Sequence, residues 1–219
     1  MRKEPQPDGD GLVPEVARRV EDGGDRPMLV WRLSRPRLAI SSAPLGGGIG
    51  LRHWVLNAEV AGDYARLDPA VHLDELATGL GLVGDGVGML TAARVENVRV
   101  AERGGVVAAA TVGLTHPVWA AEPGDGTVAA QAERVGTINI VALVPVRLSK
   151  AALVNAVATV TEAKAQALGN AGVAGTGTPT DAVCVLCAAD GPVDPFGGPR
   201  SRWGAPLAQA VHRAVLAGS

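Results

Sequence analysis

The fold class follows from one stretch of the chain, Gly175-Thr176-Gly177-Thr178-Pro179-Thr180-Asp181 followed by Ala182-Val183-Cys184-Val185-Leu186-Cys187. The second half of this stretch has the length and apolar character of a buried strand. Before it, the chain from Ser149 to Asn170 repeats apolar residues at the period of a helix, with Ser149 as the cap. A helix, a tight turn and a buried strand in this order predict an α/β fold.

The turn between helix and strand is rich in polar groups. Gly175 and Gly177 allow backbone conformations closed to other residues and a close approach to a ligand. Short polar side chains are supplied by Thr176, Thr178, Thr180 and Asp181. The turn is interpreted either as part of a binding site or as a polar loop that only joins the two elements.

The remaining patterns predict a single domain over residues 27–219. Strand patterns cover residues 28–33, 38–43, 53–60, 87–114 and 137–146, and the first two are separated by Ser34-Arg35-Pro36-Arg37. Helix patterns lie near residues 70–81, 149–169 and 205–216. We therefore predict an α/β domain in which a mixed, largely antiparallel sheet is covered by three helices.

Two segments fall outside this pattern. Residues 1–26 are rich in Pro, Gly, Asp and Arg and predict a flexible leader, with a short helix near residues 13–20. Residues 119–134 predict a surface excursion. The Gly-x-Gly-x-x-Thr spacing occurs at Gly86 and again at Gly175, which is interpreted either as an internal repeat with pseudo-twofold symmetry or as a chance similarity between glycine-rich segments.

Composition limits the kinds of ligand. The 219 residues are 47% hydrophobic and 19% charged, with a formal net charge of -2 and no basic cluster. This balance argues against nucleic acid or an anionic membrane as the partner, and favours a small molecule or a protein as the ligand. No segment reaches the roughly 18 apolar residues of a spanning helix and the start lacks a signal-peptide core, so we expect a cytoplasmic protein.

Cysteine and histidine do not form a metal-ligand pattern. Cys184 and Cys187 lie inside the apolar run, which favours core packing over redox or metal chemistry. The histidines lie singly, at His53, His72, His116 and His212. The sequence therefore predicts no metal site and no certain cofactor, and it leaves metal dependence of the activity open.

Several other polar residues share a face or a loop. Asn57 and Glu59 lie on the same side of the alternating strand 53–60. The long helix carries a polar stripe formed by Asn155, Thr159, Glu162 and Gln166. The irregular segment before the last helix carries Arg200, Arg202 and Trp203, two donor groups and a flat apolar surface that suit a planar, amide-rich ligand. Each pattern also fits a purely structural role.

A set of short motifs, in this order, resembles the adenosylcobinamide amidohydrolase family. The motifs are Ser41-Ser42-Ala43-Pro44-Leu45-Gly46-Gly47-Gly48-Ile49-Gly50, Trp54-Val55-Leu56-Asn57, Gly136-Thr137-Ile138-Asn139-Ile140, Thr161-Glu162-Ala163-Lys164, Gly175 to Asp181, and Gly197-Gly198-Pro199-Arg200. The resemblance covers about residues 38–217. It implies an enzyme that hydrolyses the amide between aminopropanol and a propionate side chain of adenosylcobinamide, with the corrinoid as substrate, for corrinoid salvage in cobalamin synthesis.

Roles for individual residues are predicted from chemistry. Amide hydrolysis needs an activated nucleophile, donors for the oxyanion and an acid for the leaving amine. The sequence lacks a Gly-x-Ser-x-Gly elbow and a His-Glu-x-x-His motif, so Asp181 and Glu162 are predicted to activate water and protonate the amine. In a competing scheme Thr176, Thr178 or Thr180 is a covalent nucleophile.

Further residues are predicted to hold the substrate or the oxyanion. They are Asn57, Glu59, Asn155, Gly175, Thr176, Gly177, Thr178, Thr180, Gly47, Gly48, Arg200, Arg202 and Trp203. Two other functions stay open, a non-catalytic corrinoid-binding or carrier protein and an amidohydrolase for another amide. The oligomeric state, including a homodimer, is left open as well.

Overall fold

The structure is a computed structural model and describes residues 12–122 and 136–219. Ten strands and three α-helices lie in these ranges. In chain order they are β1 (Glu15–Glu21), β2 (Gly24–Ser41), β3 (Gly48–Glu59), α1 (Pro69–Gly79), β4 (Gly86–Thr91), β5 (Arg99–Arg103), β6 (Val106–Val112), β7 (Ile138–Val144), β8 (Arg147–Leu148), α2 (Lys150–Asn170), β9 (Ala182–Cys187), β10 (Val193–Asp194) and α3 (Gly204–Gly218).

One sheet of the described chain contains eight of the strands. Its order is β4-β3-β2-β9-β7-β6-β5, and β1 pairs with the first part of β2. The β3–β4 and β7–β9 pairs are parallel, each connected by a helix, whereas the other pairs in this sheet are antiparallel. Strands β8 and β10 form a separate small parallel pair.

The large sheet folds over on itself. The Asn57 amide on β3 donates to the Thr111 hydroxyl on β6 at 3.0 Å. Four strand spacings separate β3 from β6 in the sheet order, about 19 Å in a flat sheet, so the two strands must face each other. The apolar layer between the facing halves includes Leu29, Val55 and Met89 from one half and Val141, Cys184 and Leu186 from the other.

The helices cover the two outer faces of the folded sheet. Leu73 and Ala77 of α1 pack against Trp54 and Leu56 on β3. In the other half α2 packs against β9, and α3 packs against β5 and β6. The cluster beneath the two helices includes Leu153, Val160, Leu207, Val211, Ile140 and Val185. Helix, sheet, sheet and helix layers therefore bury most large side chains, as the Ala-, Val- and Leu-rich composition requires.

The predicted fold class and the three helices are confirmed by the structure. The two strands predicted over residues 28–33 and 38–43 are one long strand, β2, with an irregular register between Arg32 and Arg37. The polar residues 34–37 thus mark a bulge, which bends a strand without ending it.

Two other expectations differ from the structure. Residues 15–26, predicted to belong to the flexible leader and partly to a short helix, form β1 and the start of β2. In β1 the exposed side chains of Val16, Arg18 and Val20 alternate with partly buried neighbours. This alternation of exposure is typical of a strand at the edge of a sheet. The excursion predicted over residues 119–134 lies outside the described residues from 123 onward.

The internal repeat stays a prediction. Both glycine segments follow a helix that connects two parallel strands. Gly86 and Gly88 lie inside β4, however, whereas Gly175 and Gly177 lie in the turn before β9. No helix of the described chain is long and apolar enough to cross a bilayer.

Candidate active site

Asp181 is the centre of a polar cluster at the beginning of β9. One carboxylate oxygen accepts from the Ile138 backbone N–H at 2.9 Å and from the Thr178 hydroxyl. The other accepts from the Thr178 backbone N–H at 3.1 Å and forms an ion pair with Lys164. These four donors occupy the four acceptor positions of a carboxylate. Asp181 therefore fixes the turn and orients both the Lys164 ammonium and the Thr178 hydroxyl.

Lys164 reaches the cluster from the apolar face of α2. Its position is one turn from Val160 and one turn from Leu168, both fully buried, and the Lys164 residue itself is 8% exposed. An ammonium group buried this deeply needs a counter-charge, which Asp181 provides. Among the described residues Asp181 is its hydrogen-bond partner, so two of its N–H groups remain for a substrate or water.

Gly177 is required where the turn crosses the ion pair. A Cβ atom added there would lie 2.4 Å from the Asp181 carboxylate and 2.4 Å from the Lys164 Nζ. Only a residue without a side chain lets the backbone pass this close to the two charged groups. The first glycine of the turn, Gly175, meets the Val118 backbone in the same way, at 2.9 Å.

The threonines of the turn have three different environments. Thr178 is 7% exposed and donates to Asp181. Thr180 is exposed, and its hydroxyl lies 2.7 Å from that of Thr137 and donates to the Gly136 carbonyl at 3.2 Å. The Thr176 hydroxyl accepts from the Ala120 backbone N–H at 3.1 Å and so connects the turn to the loop around Val118 and Ala120. Of the three, Thr178 is the one paired with a base.

Asn57 and Glu59 do not reach the Asp181 cluster through hydrogen bonds. Asn57 is buried between the facing half-sheets, where it accepts from the Asn139 amide at 2.8 Å. Asn139 is one residue beyond Ile138, whose N–H binds Asp181, so this core network borders the cluster. The Glu59 carboxylate accepts from the Val95 backbone N–H at 3.0 Å, which is a structural contact.

Glu162 is not brought to Asp181. It is exposed, and a spacing of two residues places it on the side of α2 opposite Lys164. The predicted pair of carboxylates is thus replaced in the structure by a carboxylate and an ammonium. The polar stripe of α2 favours Glu162, but the sequence signal for the true partner of Asp181 is a lysine on the apolar face of the helix, because a buried ammonium needs a counter-charge.

A second group of predicted residues lies near the start of α2, away from the cluster. A cleft of about 590 Å³ is lined by Asn155, Phe196 and Arg200 together with Ala151, Pro195, Gly197, Gly198, Pro199 and Ser201. Asn155 is nine residues before Lys164, about 14 Å along the helix. The Arg202 guanidinium lies over the Trp203 ring, with its central carbon 5.3 Å from the ring centroid. These side chains therefore form a region distinct from Asp181.

The predicted glycine loop forms a third region. The buried Arg52 guanidinium donates twice to the Gly46 carbonyl, at 2.8 and 3.1 Å, and so holds the loop closed. Gly48 has a φ of +82°, which favours glycine, and Gly47 abuts the Ala43 carbonyl. A cavity of about 320 Å³ lies beside Gly46 and includes Asp74, Asp85 and Trp54.

Buried titratable groups elsewhere in the described chain have structural roles. Burial raises the pKa of Cys184 to about 12, and it raises the pKa of Cys187 as well, as the predicted core packing requires. His72 lies 2.7 Å from the Glu21 carboxylate and 3.0 Å from the Tyr64 hydroxyl. Burial lowers the pKa of His72 although Glu21 acts in the opposite direction.

The fold and the cluster define an α/β protein with a carboxylate, an ammonium and a hydroxyl gathered at one end of a buried strand, groups suited to acyl-transfer chemistry. The chain belongs to the adenosylcobinamide amidohydrolase family, whose model matches residues 13–219. This confirms the resemblance seen in the motifs and identifies a family of amide-hydrolysing enzymes.

Two relatives support this placement. The chain is 38% identical over 144 residues to the adenosylcobinamide amidohydrolase of Halobacterium salinarum, covering 64% of this chain but only 62% of that protein. It is 30% identical over 186 residues to that of Methanosarcina mazei, covering 81% of this chain and 88% of the relative. Among solved structures, the PH0078 protein of Pyrococcus horikoshii OT3 is 12% identical, with a TM-score of 0.44 over 89% of this chain and 75% of that one. That likeness is weak.

Proposed function

We propose that this protein hydrolyses the amide between aminopropanol and a propionate side chain of adenosylcobinamide. Water adds across the C–N bond, the carbonyl carbon gains the oxygen, and the amine leaves with a proton. The products are adenosylcobyric acid and free aminopropanol, and the acid re-enters cobalamin synthesis as salvaged corrinoid. The observation that carries the proposal is the family match over residues 13–219.

The Asp181 cluster supports a role for Asp181 as the base. A hydroxyl that donates to a carboxylate is the arrangement of an activated nucleophile, and Thr178 makes this contact. In one route Asp181 takes the Thr178 proton, Thr178 attacks the amide carbon and the amine leaves with that proton, after which water hydrolyses the Thr178 ester and releases the acid. In the other, Thr178 turns away and a water molecule takes its place on Asp181, because the carboxylate has no acceptor position left otherwise.

Lys164 supports either route through its charge. Its ammonium lies beside the carboxylate, and its remaining N–H groups are donors for an oxygen that gains negative charge. The proton passed to Asp181 then returns to the leaving amine, so the same carboxyl group acts first as base and then as acid. Glu162, exposed on the far side of α2, is not needed in this scheme.

The first experiment is incubation of purified protein with adenosylcobinamide, with and without chelator, followed by mass spectrometry. We expect both products to appear. Retention of intact corrinoid on the protein without product would make it a corrinoid-binding protein, and turnover of other amides with no response to corrinoids would point to a different substrate. Loss of turnover in chelator would favour a metal-bound water over the Asp181 scheme.

The two routes are separated by variants of Thr178. T178S keeps the hydroxyl and T178A removes it, whereas T78A, at an exposed threonine on α1, provides a control for a lost hydroxyl. In the covalent route T178A loses turnover and T178S retains it, and denatured protein from a quenched reaction carries the mass of the corrinoid acyl group. In the water route T178A stays active and no such adduct forms.

A further inference from the structure

An uncharged flank of α2 faces away from α3. Helix α3 packs on α2 in a core cluster to which α2 contributes Ala156, Ala163 and Ala167. The spacing of Val154, Ala158, Thr161 and Ala165 places them on the opposite flank. Val154 is 58% exposed, and Ala158 and Thr161 are also exposed. Since α2 also contacts β2, this flank borders the part of the sheet that continues beyond β9.

The adjoining sheet surface is apolar and partly uncovered. Ile40 on β2 pairs with Ile49 on β3, and it also pairs with Val185 on β9, which α2 covers. Ile49 is 38% exposed and Leu51 is 50% exposed, both on a strand. Two strand spacings, about 10 Å, separate Ile49 from Val185. We call the surface formed by Ile40, Ile49, Leu51, Val154, Ala158 and Thr161 the apolar groove.

The groove ends at the Asp181 cluster. After Ile40 the chain continues to Ser42, whose hydroxyl accepts from the Val183 backbone N–H at 3.1 Å. Val183 on β9 lies two residues beyond Asp181, which immediately precedes the strand, and Thr161 lies one turn before Lys164 on α2. A ligand in the groove therefore has one end beside the carboxylate and the ammonium.

We propose that the apolar groove holds the corrin macrocycle while the amide arm reaches Asp181. This inference rests on the proposed function and adds the position of the substrate. A macrocycle with flat apolar faces and a rim of amides matches a surface whose walls are aliphatic and whose Asp181 end carries the hydroxyls of Ser42 and Thr161. Continuity with the cluster favours the substrate as the occupant over a second copy of the chain.

The position is tested by protection of an introduced thiol. In A158C a cysteine stands in the groove, and in A65C one stands on an exposed loop before α1. The two native cysteines are buried, so maleimide labels the introduced thiol selectively. We expect saturating adenosylcobinamide, with saturation followed by corrin absorbance, to slow labelling of A158C about tenfold and to leave A65C unchanged.

A charge in the groove provides a second measurement. Leu51→Asp would place a carboxylate against the macrocycle and is expected to weaken corrinoid binding about tenfold or more. Val71→Asp, on a 54% exposed position of α1, is the matched control and leaves binding unchanged. Thermal unfolding of both variants shows that the fold is retained.

The outcomes separate the groove from the reaction. Turnover by the wild type together with equal labelling of A158C with and without bound corrinoid overturns the groove and leaves the function standing. Protection of A158C without turnover overturns the function and supports the groove. If corrinoid neither binds nor reacts, both fail. Concentration-dependent dimerisation that Leu51→Asp abolishes, with corrinoid binding unaffected, would assign the groove to a second copy and overturn the proposal.

Discussion

Replacing Asp181 by Asn is expected to destabilise the protein as well as to stop hydrolysis. An amide has one acceptor oxygen, and its NH2 group donates. Whichever way the amide turns, its NH2 faces either the Ile138 or the Thr178 backbone N–H, both of which are donors. The substitution also leaves the buried Lys164 ammonium without its counter-charge.

The expected loss can be worked out from the burial of the pair. The side chains of Lys164 and Asp181 are 10% and 11% exposed, so solvent screens them little. Removing one partner of such a pair costs about 3–5 kcal/mol. For a domain of this size that is a fall in Tm of about 6–20 °C. K164M should cost less, about 1–3 kcal/mol, because Asp181 keeps its other three donors.

The assay is denaturant unfolding of D181N, K164M and the double variant, with D190N as a control at an exposed carboxylate. The double variant is expected to lose less stability than the two single losses added together, by about 1–3 kcal/mol, because the charges act as a unit. D190N should stay within about 0.5 kcal/mol of the wild type. If the free energy of unfolding of D181N lies within about 1 kcal/mol of that of the wild type, and the effects of the two substitutions add, then Asp181 and Lys164 do not form a buried, coupled pair. Full turnover by D181N would refute its role as the base.

Three further results are expected. Gly177→Ala should cost at least about 2 kcal/mol and abolish turnover, because its Cβ would meet the ion pair, whereas Gly169→Ala, in open space on α2, should be neutral or stabilising by up to about 1 kcal/mol in the same unfolding assay. The free energy of unfolding should fall as the pH drops below about 6.5, because His72 binds a proton in the unfolded chain while its lowered pKa keeps it neutral in the folded one. Urea titrations at several pH values should show this loss in the wild type and in H53Q, at an exposed histidine, but not in H72Q. Asn139→Ala should cost about 1–3 kcal/mol by leaving the buried Asn57 oxygen without its donor, and a loss below about 0.5 kcal/mol would mean that water replaces the amide.

The helices were predictable because each is a local, periodic pattern. The apolar spacing of Leu153, Val160 and Leu168 and the cap at Ser149 specify α2 without reference to the rest of the chain, and the Ser149 hydroxyl does accept from the Ala152 N–H at 3.0 Å. The folding of the sheet was not predictable in this way. It depends on contacts such as Asn57 to Asn139, between residues far apart in the sequence.

The site was predicted in part for the same reason. The turn from Gly175 to Asp181 is a local signal, and the structure places a polar cluster there. The partner of Asp181 on α2 was predicted to be Glu162, because polar residues align on that face of the helix. A charged residue among apolar neighbours needs a partner more than an exposed one does, and on α2 that residue is Lys164. Arg200 and Trp203 carry suitable chemistry but lie near the other end of α2, and the sequence does not encode that distance.

Strand β2 belongs to both halves of the folded sheet. Its first part pairs with β1 and β3, and its last residues, Leu38 to Ser41, pair with β9 while still pairing with β3. Neither half can therefore separate without leaving a row of backbone groups unpaired. Amide exchange in β2 should thus require global unfolding, and a chain cut within residues 33–36 should lose the Asp181 site although the cut lies far from it in sequence.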